Sequence, residues 1–322
     1  MPMSDRHAVF LDLLPLQQGD LALDVLEQTF ASLSCFDYSP AEQVVERLEG
    51  AAVAIVNKVQ LTADTLAACP SLKLVLVAAT GLNNVDLDAA RRLGITVCNC
   101  QGYGTGSVAQ HTLMLLLALA TRLPDYQIAV RRGRWQQAEH FCFLDFPIME
   151  LAGKTLGILG QGELGGAVAG MAEALGMRVL AGNLPGRPAR PGRLELDELL
   201  SQVDALSLHC PLTEQTRNLI GARELGLMKR GAFLVNTARG GLVDEQALAE
   251  ALRSGHLGGA ATDVLSEEPP VRGNPLLGED IPRLIITPHS AWGSREARQR
   301  IIEQLAENGA AFFAGRPLRQ VN

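Results

Sequence analysis

Three charged side chains stand far apart in the second half of the chain: Arg239 in VNTARGG, Glu268 in DVLSEEPP and His289 in TPHSAWG. Each lies just after an apolar, strand-like run, and all three follow the glycine turn Gly160-Gln161-Gly162-Glu163-Leu164-Gly165. A guanidinium fork can hold a carboxylate with two bonds, an imidazole can move a proton, and a neighbouring glutamate favours the charged imidazole. Beside a nicotinamide, that set is what reduction of a 2-keto acid requires. Taken singly, each has a structural reading. Arg239 could bond loop carbonyls, Glu267 and Glu268 could be surface acids, and His289 after Thr-Pro could simply end a strand.

The glycine turn has the context it needs, with TLGIL as a strand before it and AVAGMAEALG as a helix former after it. Gly160 permits the tight turn, Gly162 lets backbone approach a pyrophosphate, and Gly165 lets helix and strand pack closely. The pyrophosphate would sit against the N–H groups of Glu163 and Leu164, at the positive end of the helix. About twenty residues further on, an Asp or Glu would accept from the adenine ribose and repel a 2′-phosphate. Asn183 stands there and does neither firmly, while Arg187 and Arg190 lie close enough in sequence to meet a phosphate. Both NAD and NADP are therefore expected to serve. The alternative is that the two arginines are solvated loop charges.

The elements that must position these groups alternate along the chain. Residues 7–14, 52–57, 72–78 and 95–98 read as short buried parallel strands, with helices at 41–48 and 86–93. Residues 107–122, SVAQHTLMLLLALATR, form a helix apolar on most sides and hence buried between layers. His111 on it reads as a packed core histidine without acidic company. Residues 123–150, rich in aromatics and arginine, are either a helix plus a surface loop or an arm that packs on a second subunit. A second series places strands at 155–159, 178–181, 205–208, 232–236, 259–262 and 284–287, and helices at 164–175, 197–202, 222–228 and 244–254. Asp197 and Asp244 suit N-caps, and Gly176, Gly231 and Gly255 suit helix stops. Ser294 can cap a final helix over 295–313.

This pattern predicts an α/β protein of two doubly wound parallel-sheet domains. Residues 1–100 plus 291–322 form a flavodoxin-like substrate domain and residues 101–290 a Rossmann cofactor domain, with the active site in the cleft between them. A length of 322 residues suits two domains, and 47 % hydrophobic residues allow substantial cores. The net charge of −7 is interleaved rather than blocked, and only four basic residues are Lys (58, 73, 154 and 229), which argues against nucleic acid or membrane as partner. The opening MPMSDRHAVFLDLL lacks the pattern of a secretion signal, and the apolar run 113–120 is too short for a bilayer. Six scattered cysteines (35, 69, 98, 100, 142 and 210) complete no zinc set, so no metal is expected and a reduced, cytoplasmic setting is.

The runs GILGQGELGGAVAGMAEALGMRVL, HCPLTEQTRNLIG, VNTARGGLVDEQAL, ATDVLSEEPP and TPHSAWGSREAR, in that order, closely resemble the D-2-hydroxyacid dehydrogenase family. The last run is most similar to its glycerate dehydrogenase and hydroxypyruvate reductase branch. AATGLNNVDLDAA and YGTGSVAQHTLMLLLAL match the family's first domain, so the resemblance covers nearly the whole chain. It implies Arg239 as the substrate arginine, His289 as the acid–base residue and Glu268 as its partner. Glutamate there separates the chain from the formate-oxidising branch, which carries Gln. Asp263 would anchor the nicotinamide carboxamide, Thr237, Ala238, His209 and Pro211 would line the cofactor, and Trp292 would cover its nicotinamide side or pack between domains. The N–H groups around Thr80 and Gly81 would hold the substrate carboxylate. His140 and His256 are left structural. The implied activity is NAD(P)H-dependent reduction of glyoxylate or hydroxypyruvate by a homodimer. The alternatives are a dehydrogenase for a bulkier 2-hydroxy acid and a nicotinamide-sensing corepressor of the same fold.

Overall fold

The runs VAIV and LVLV are apolar at every position, so neither face can meet water, and both are wholly buried mid-sheet. In the computed structural model, which describes residues 6–322, they are β3 (Val53–Val56) and β4 (Leu74–Val77). With β1 (His7–Phe10), β2 (Ser32–Cys35) and β5 (Thr96–Asn99) they form an all-parallel sheet in the order β2-β1-β3-β4-β5. That is the flavodoxin-like order. This unit comprises the chain up to Gly104 together with Gly293–Asn322. The first five residues, on which part of the expectation about a leader rests, lie outside the described residues.

Two details of this sheet differ from the sequence reading. The strand expected over 7–14 ends at Phe10, because Asp12 turns inward to bind backbone. The edge strand β2, SLSC, was not anticipated. It is short, half polar and without a buried residue, so its four alternating positions are too few to mark it and it carries no apolar run. Ser294 caps the Arg295–Phe313 helix by accepting from Ala297 N at 3.2 Å. That helix is tied into the same unit, where Arg298 clasps Asp20 with two bonds of 2.8 and 2.6 Å.

The second unit, Thr105–Trp292, holds a seven-stranded parallel sheet. Its strands are β6 (Thr155–Leu159), β7 (Arg178–Gly182), β8 (Arg193–Leu194), β9 (Ala205–Leu208), β10 (Phe233–Asn236), β11 (Gly259–Thr262) and β12 (Leu284–Ile286). The order β12-β11-β10-β9-β6-β7-β8 is the dinucleotide-binding arrangement plus one strand, with its switch point between β6 and β9. Both faces are covered. Leu156, Ile158, Ala205 and Val235 pack with the Thr105–Ala120 helix on one side, and Leu206, Leu208 and Leu234 with Leu199, Leu248 and Leu252 on the other.

The Thr105–Ala120 helix has eight buried residues, which accounts for its apolar character. Among the described residues no single helix is long and apolar enough to cross a membrane. After the Leu123–Arg131 helix the chain has no helix or strand until β6, and Arg134–Asp145 bonds of 2.7 and 2.9 Å pin this loop. Asp244 caps its helix as expected, but Asp197 does not: Glu195 is the cap residue, and Asp197 sits inside the first turn, paired with Arg223. Gly176 and Gly255 end their helices at φ +79° and +67°; Gly231, at +84°, lies in the turn before β10.

Candidate active site

The glycine turn leaves β6 at Gly160, whose φ of +96° excludes a side chain on conformational grounds. Space excludes one too, since a Cβ there would lie 2.5 Å from the His209 carbonyl. Gly165 is equally constrained: its Cβ would sit 2.3 Å from Gly160 O, so helix and strand pack through hydrogen atoms alone. Gly162 is different. Nothing lies within 4 Å of its missing Cβ, and it begins the Glu163–Ala174 helix without a side-chain cap. Among the described residues the N–H groups of Glu163 and Leu164 donate to no acceptor, which suits a pyrophosphate.

His209 adds a second observation at this turn. It follows β9, its N–H donates to Leu159 O at 2.7 Å, and its Nε2 lies 2.8 Å from Ser207 Oγ. Nδ1 is sealed from solvent without a hydrogen-bond partner among the described residues. Burial pushes the imidazole down to about 4, so it is neutral at physiological pH. An unmatched buried polar atom beside an uncapped glycine turn fits a polar ligand there.

At the ribose end, Asn183 is 8 % exposed and its amide is committed within the protein. Nδ2 donates to Glu195 Oε1 at 2.7 Å, and Oδ1 accepts from Arg190 N at 3.1 Å. Glu195, an exposed carboxylate just past β8, was not singled out from sequence; the two-residue strand that places it gives no periodic signal. The side chains of Arg187 and Arg190 are exposed.

The three widely spaced charges are placed by loops after β10, β11 and β12. Asn236, 3 % exposed at the end of β10, donates to Arg239 O at 2.8 Å and accepts from Ala238 N at 3.1 Å, so it shapes the arginine loop. Thr237 Oγ1 is anchored 2.8 Å from Thr112 Oγ1. The Arg239 guanidinium is exposed and donates to Ala238 O at 2.7 Å, the loop contact that its structural reading anticipates. Gly240 fixes where that loop runs: a Cβ would fall 2.0 Å from the Leu265 carbonyl carbon, so the arginine loop lies directly on the turn leading to Glu268.

That turn is braced by Glu245, which accepts from Ser266 N and Oγ and from Asn274 Nδ2 at 2.6 to 2.7 Å. Glu268 accepts from Leu265 N at 2.8 Å through Oε1, and its Oε2 lies 2.6 Å from His289 Nδ1. Its neighbour Glu267 pairs with Arg272 as a surface acid. His289 has a left-handed φ of +51°, held by its N–H donating to Asp263 O at 2.8 Å. Among the described residues its Nε2 makes no hydrogen bond.

Asp263 is 1 % exposed, and its carboxylate accepts from Ser290 N, Ala291 N and Thr287 Oγ1 at 2.5 to 2.9 Å. All three donors belong to the loop that carries His289. His111 does have acidic company, contrary to expectation: Nε2 is 2.9 Å from Thr287 Oγ1 and 3.6 Å from Asp263 Oδ1. A partner 152 positions away in the chain leaves no local sequence signal. Pro211 O accepts from Thr216 Oγ1 at 2.7 Å, and Trp292 is half-buried at the end of this unit. His256 is structural, bonded to Leu225 O and Met228 O. Thr80 and Gly81 belong to the other unit, where Thr80 Oγ1 donates to Cys100 O at 2.8 Å. No group of three or more metal-ligating side chains occurs among the described residues.

An uncapped glycine turn with a charged trio on neighbouring strand ends can seat a dinucleotide and pass a proton to a substrate held beside it. Comparison with known proteins agrees. Residues 113–291 match the model for the D-isomer specific 2-hydroxyacid dehydrogenase, NAD binding domain. The chain is 50 % identical to a glycerate dehydrogenase of Methylorubrum extorquens over 276 residues, 86 % of this chain and 87 % of that protein. It is 38 % identical to a hydroxypyruvate reductase of Blautia hydrogenotrophica, covering 98 % of this chain and 99 % of that one. A crystal structure of a Thermus thermophilus protein, 38 % identical, superposes with a TM-score of 0.86 over 98 % of this chain and 100 % of its own. The chain therefore belongs to the D-isomer specific 2-hydroxyacid dehydrogenases, oxidoreductases with a nicotinamide cofactor.

Proposed function

We propose that this chain reduces glyoxylate or hydroxypyruvate to the corresponding 2-hydroxy acid with NADH or NADPH. The observation that carries the reading is the His289–Glu268 pair at 2.6 Å, which leaves Nε2 of the imidazole for a substrate. The names of the relatives point to the same small acids.

Arg239 binds the substrate carboxylate with its planar fork and polarises the keto oxygen. His289 donates a proton from Nε2 to that oxygen while C2 is reduced, and Glu268 stabilises the imidazolium that donates it. Asp263 keeps the loop of His289 in place through three bonds. The N–H groups of Thr80 and Gly81 bind the substrate carboxylate as well. Gly160, Gly162, Glu163, Leu164 and Gly165 receive the cofactor's pyrophosphate, and His209, Pro211, Thr237, Ala238 and Trp292 line it. When bound, the reduced nicotinamide supplies the hydride. Glyoxylate, hydroxypyruvate and pyruvate, each assayed with NADH and with NADPH, test this reading. Faster turnover of pyruvate than of the other two acids would reject it.

The working form is a homodimer in the reduced cytoplasm. Phe141 is 90 % and Leu144 76 % exposed in the 123–150 arm, where Trp135 and Ile148 are exposed as well. A second copy would cover these side chains. All six cysteines are free thiols, which suits a reducing compartment.

A further inference from the structure

Several buried polar side chains of the first unit gather where β1, β3, β4 and β5 end, the edge at which open α/β sheets bind ligands. Asp12, two residues past β1, is 4 % exposed. Its Oδ1 accepts from Asn57 N at 2.7 Å, and its Oδ2 from Lys58 N and Val59 N at 2.5 and 2.9 Å. Burial pushes its carboxyl up, while these N–H groups and the Lys58 charge pull it back. Sequestering a carboxylate opposes folding unless it is well bonded, and a hydrophobic residue would pack as well. Its presence needs a reason other than stability.

The reason lies one loop further on. Asn57, 4 % exposed, donates from Nδ2 to Ala78 O at 2.8 Å. Asn84, 7 % exposed, donates to Val59 O at 3.0 Å. From the opposite side Asn99, 4 % exposed, donates to Thr80 O at 2.9 Å. The turn that contains Thr80 and Gly81 is thereby tied at Ala78 and Asn84 to the segment that Asp12 holds, and at Thr80 to Asn99. Among the described residues, the N–H groups of Thr80 and Gly81 donate to no acceptor.

We propose that Asp12 is a positioning residue for substrate: through residues 57–59 and the Asn57 amide it sets the turn whose Thr80 and Gly81 N–H groups grip the keto acid's carboxylate. This rests on the reading above that these two groups bind substrate. Asp12 itself touches none.

The test is steady-state reduction of glyoxylate by the whole chain carrying Asp12→Asn or Asn57→Ala. NADH dissociation is measured separately by nicotinamide fluorescence, and folding by thermal melting. Asp12→Asn keeps the volume but turns an amide NH2 toward N–H donors; Asn57→Ala cuts the link to Ala78 without touching a buried charge. Each is expected to raise KM for glyoxylate about tenfold, while kcat and NADH dissociation stay within about twofold, since uniform binding is what is lost. Should Asp12→Asn not fold, Asn57→Ala carries the same expectation. If the folded variants change all three constants together, or none, the proposal is overturned. Gly81→Pro deletes one donor directly. An unchanged KM there overturns the substrate reading of the turn, and this proposal with it. A raised KM there with normal values in both other variants overturns the role of Asp12 alone.

Discussion

Glu268 Oε2 lies 2.6 Å from His289 Nδ1, and the same carboxylate accepts from Leu265 N through its other oxygen at 2.8 Å. The glutamate is thus held by its own turn before it holds the histidine. Through this contact it fixes the orientation of the ring.

Glu268→Gln keeps the shape of this contact and removes the charge. Kcat for glyoxylate reduction at neutral pH is expected to fall by about 10²-fold, within the range for a weakened general acid. A kcat within about twofold of the wild type would remove Glu268 from the mechanism.

The Arg239 guanidinium is exposed and, among the described residues, bonds only Ala238 O, so substituting it disturbs little else. Arg239→Gln is expected to lower kcat/KM about 10³-fold, equivalent to ~4 kcal/mol of transition-state binding. Arg239→Lys should recover only part of this, because a point charge cannot form two parallel bonds to a carboxylate. Full activity of the lysine variant would mean that the fork is not used.

Cofactor choice is expected to turn on Glu195, which accepts from Asn183 Nδ2 at 2.7 Å. NADH and NADPH are both expected to support turnover, because Arg187 and Arg190 are exposed in the loop after Asn183, where a 2′-phosphate would lie. Glu195→Gln removes the charge that repels a 2′-phosphate and should improve NADPH relative to NADH by about tenfold, an interaction of ~1.4 kcal/mol. A wild-type preference for NADH above a hundredfold, on the order of 3 kcal/mol, would show that the arginines are solvated loop charges.

What could be read from sequence was whatever a run of residues encodes in itself. The strands Thr155–Leu159, Ala205–Leu208 and Gly259–Thr262 lie at their expected limits because each is an unbroken small or apolar segment between breakers. The edge strand SLSC and the pair Arg193–Leu194 escaped because exposure and brevity erase that signal. The same divide runs through the site. Arg239, Glu268 and His289 stand out by type and by strand-end position. Two groups that brace them (Glu245, and Asp263 with Thr287) are defined by partners distant in sequence, as is Asp12 at residues 57–59.

The exposed arm predicts an assembly. Phe141→Ser with Leu144→Ser replaces two side chains that are 90 % and 76 % exposed in the monomer, so neither substitution should disturb folding. Sedimentation velocity is expected to show twice the 34.4 kDa chain mass for the wild type and the single-chain mass for the variant. An unchanged dimer would move the interface elsewhere.

His209 predicts a pH-dependent stability with a definite sign. Burial lowers its imidazole from an ordinary 6.5 to about 4, so the folded chain resists a proton that the unfolded chain accepts. Its contribution is complete above pH 6.5 and drains away as pH falls toward 4, by at most about 3 kcal/mol. His209→Gln retains a polar side chain beside Ser207 but cannot titrate. The gap in melting temperature between variant and wild type is therefore expected to shift in the variant's favour between pH 7 and pH 4, in thermal melts across that range. Were the gap constant, the imidazole would be protonating in the folded state as freely as in water, and the sealed Nδ1 at the glycine turn would have to be accessible after all.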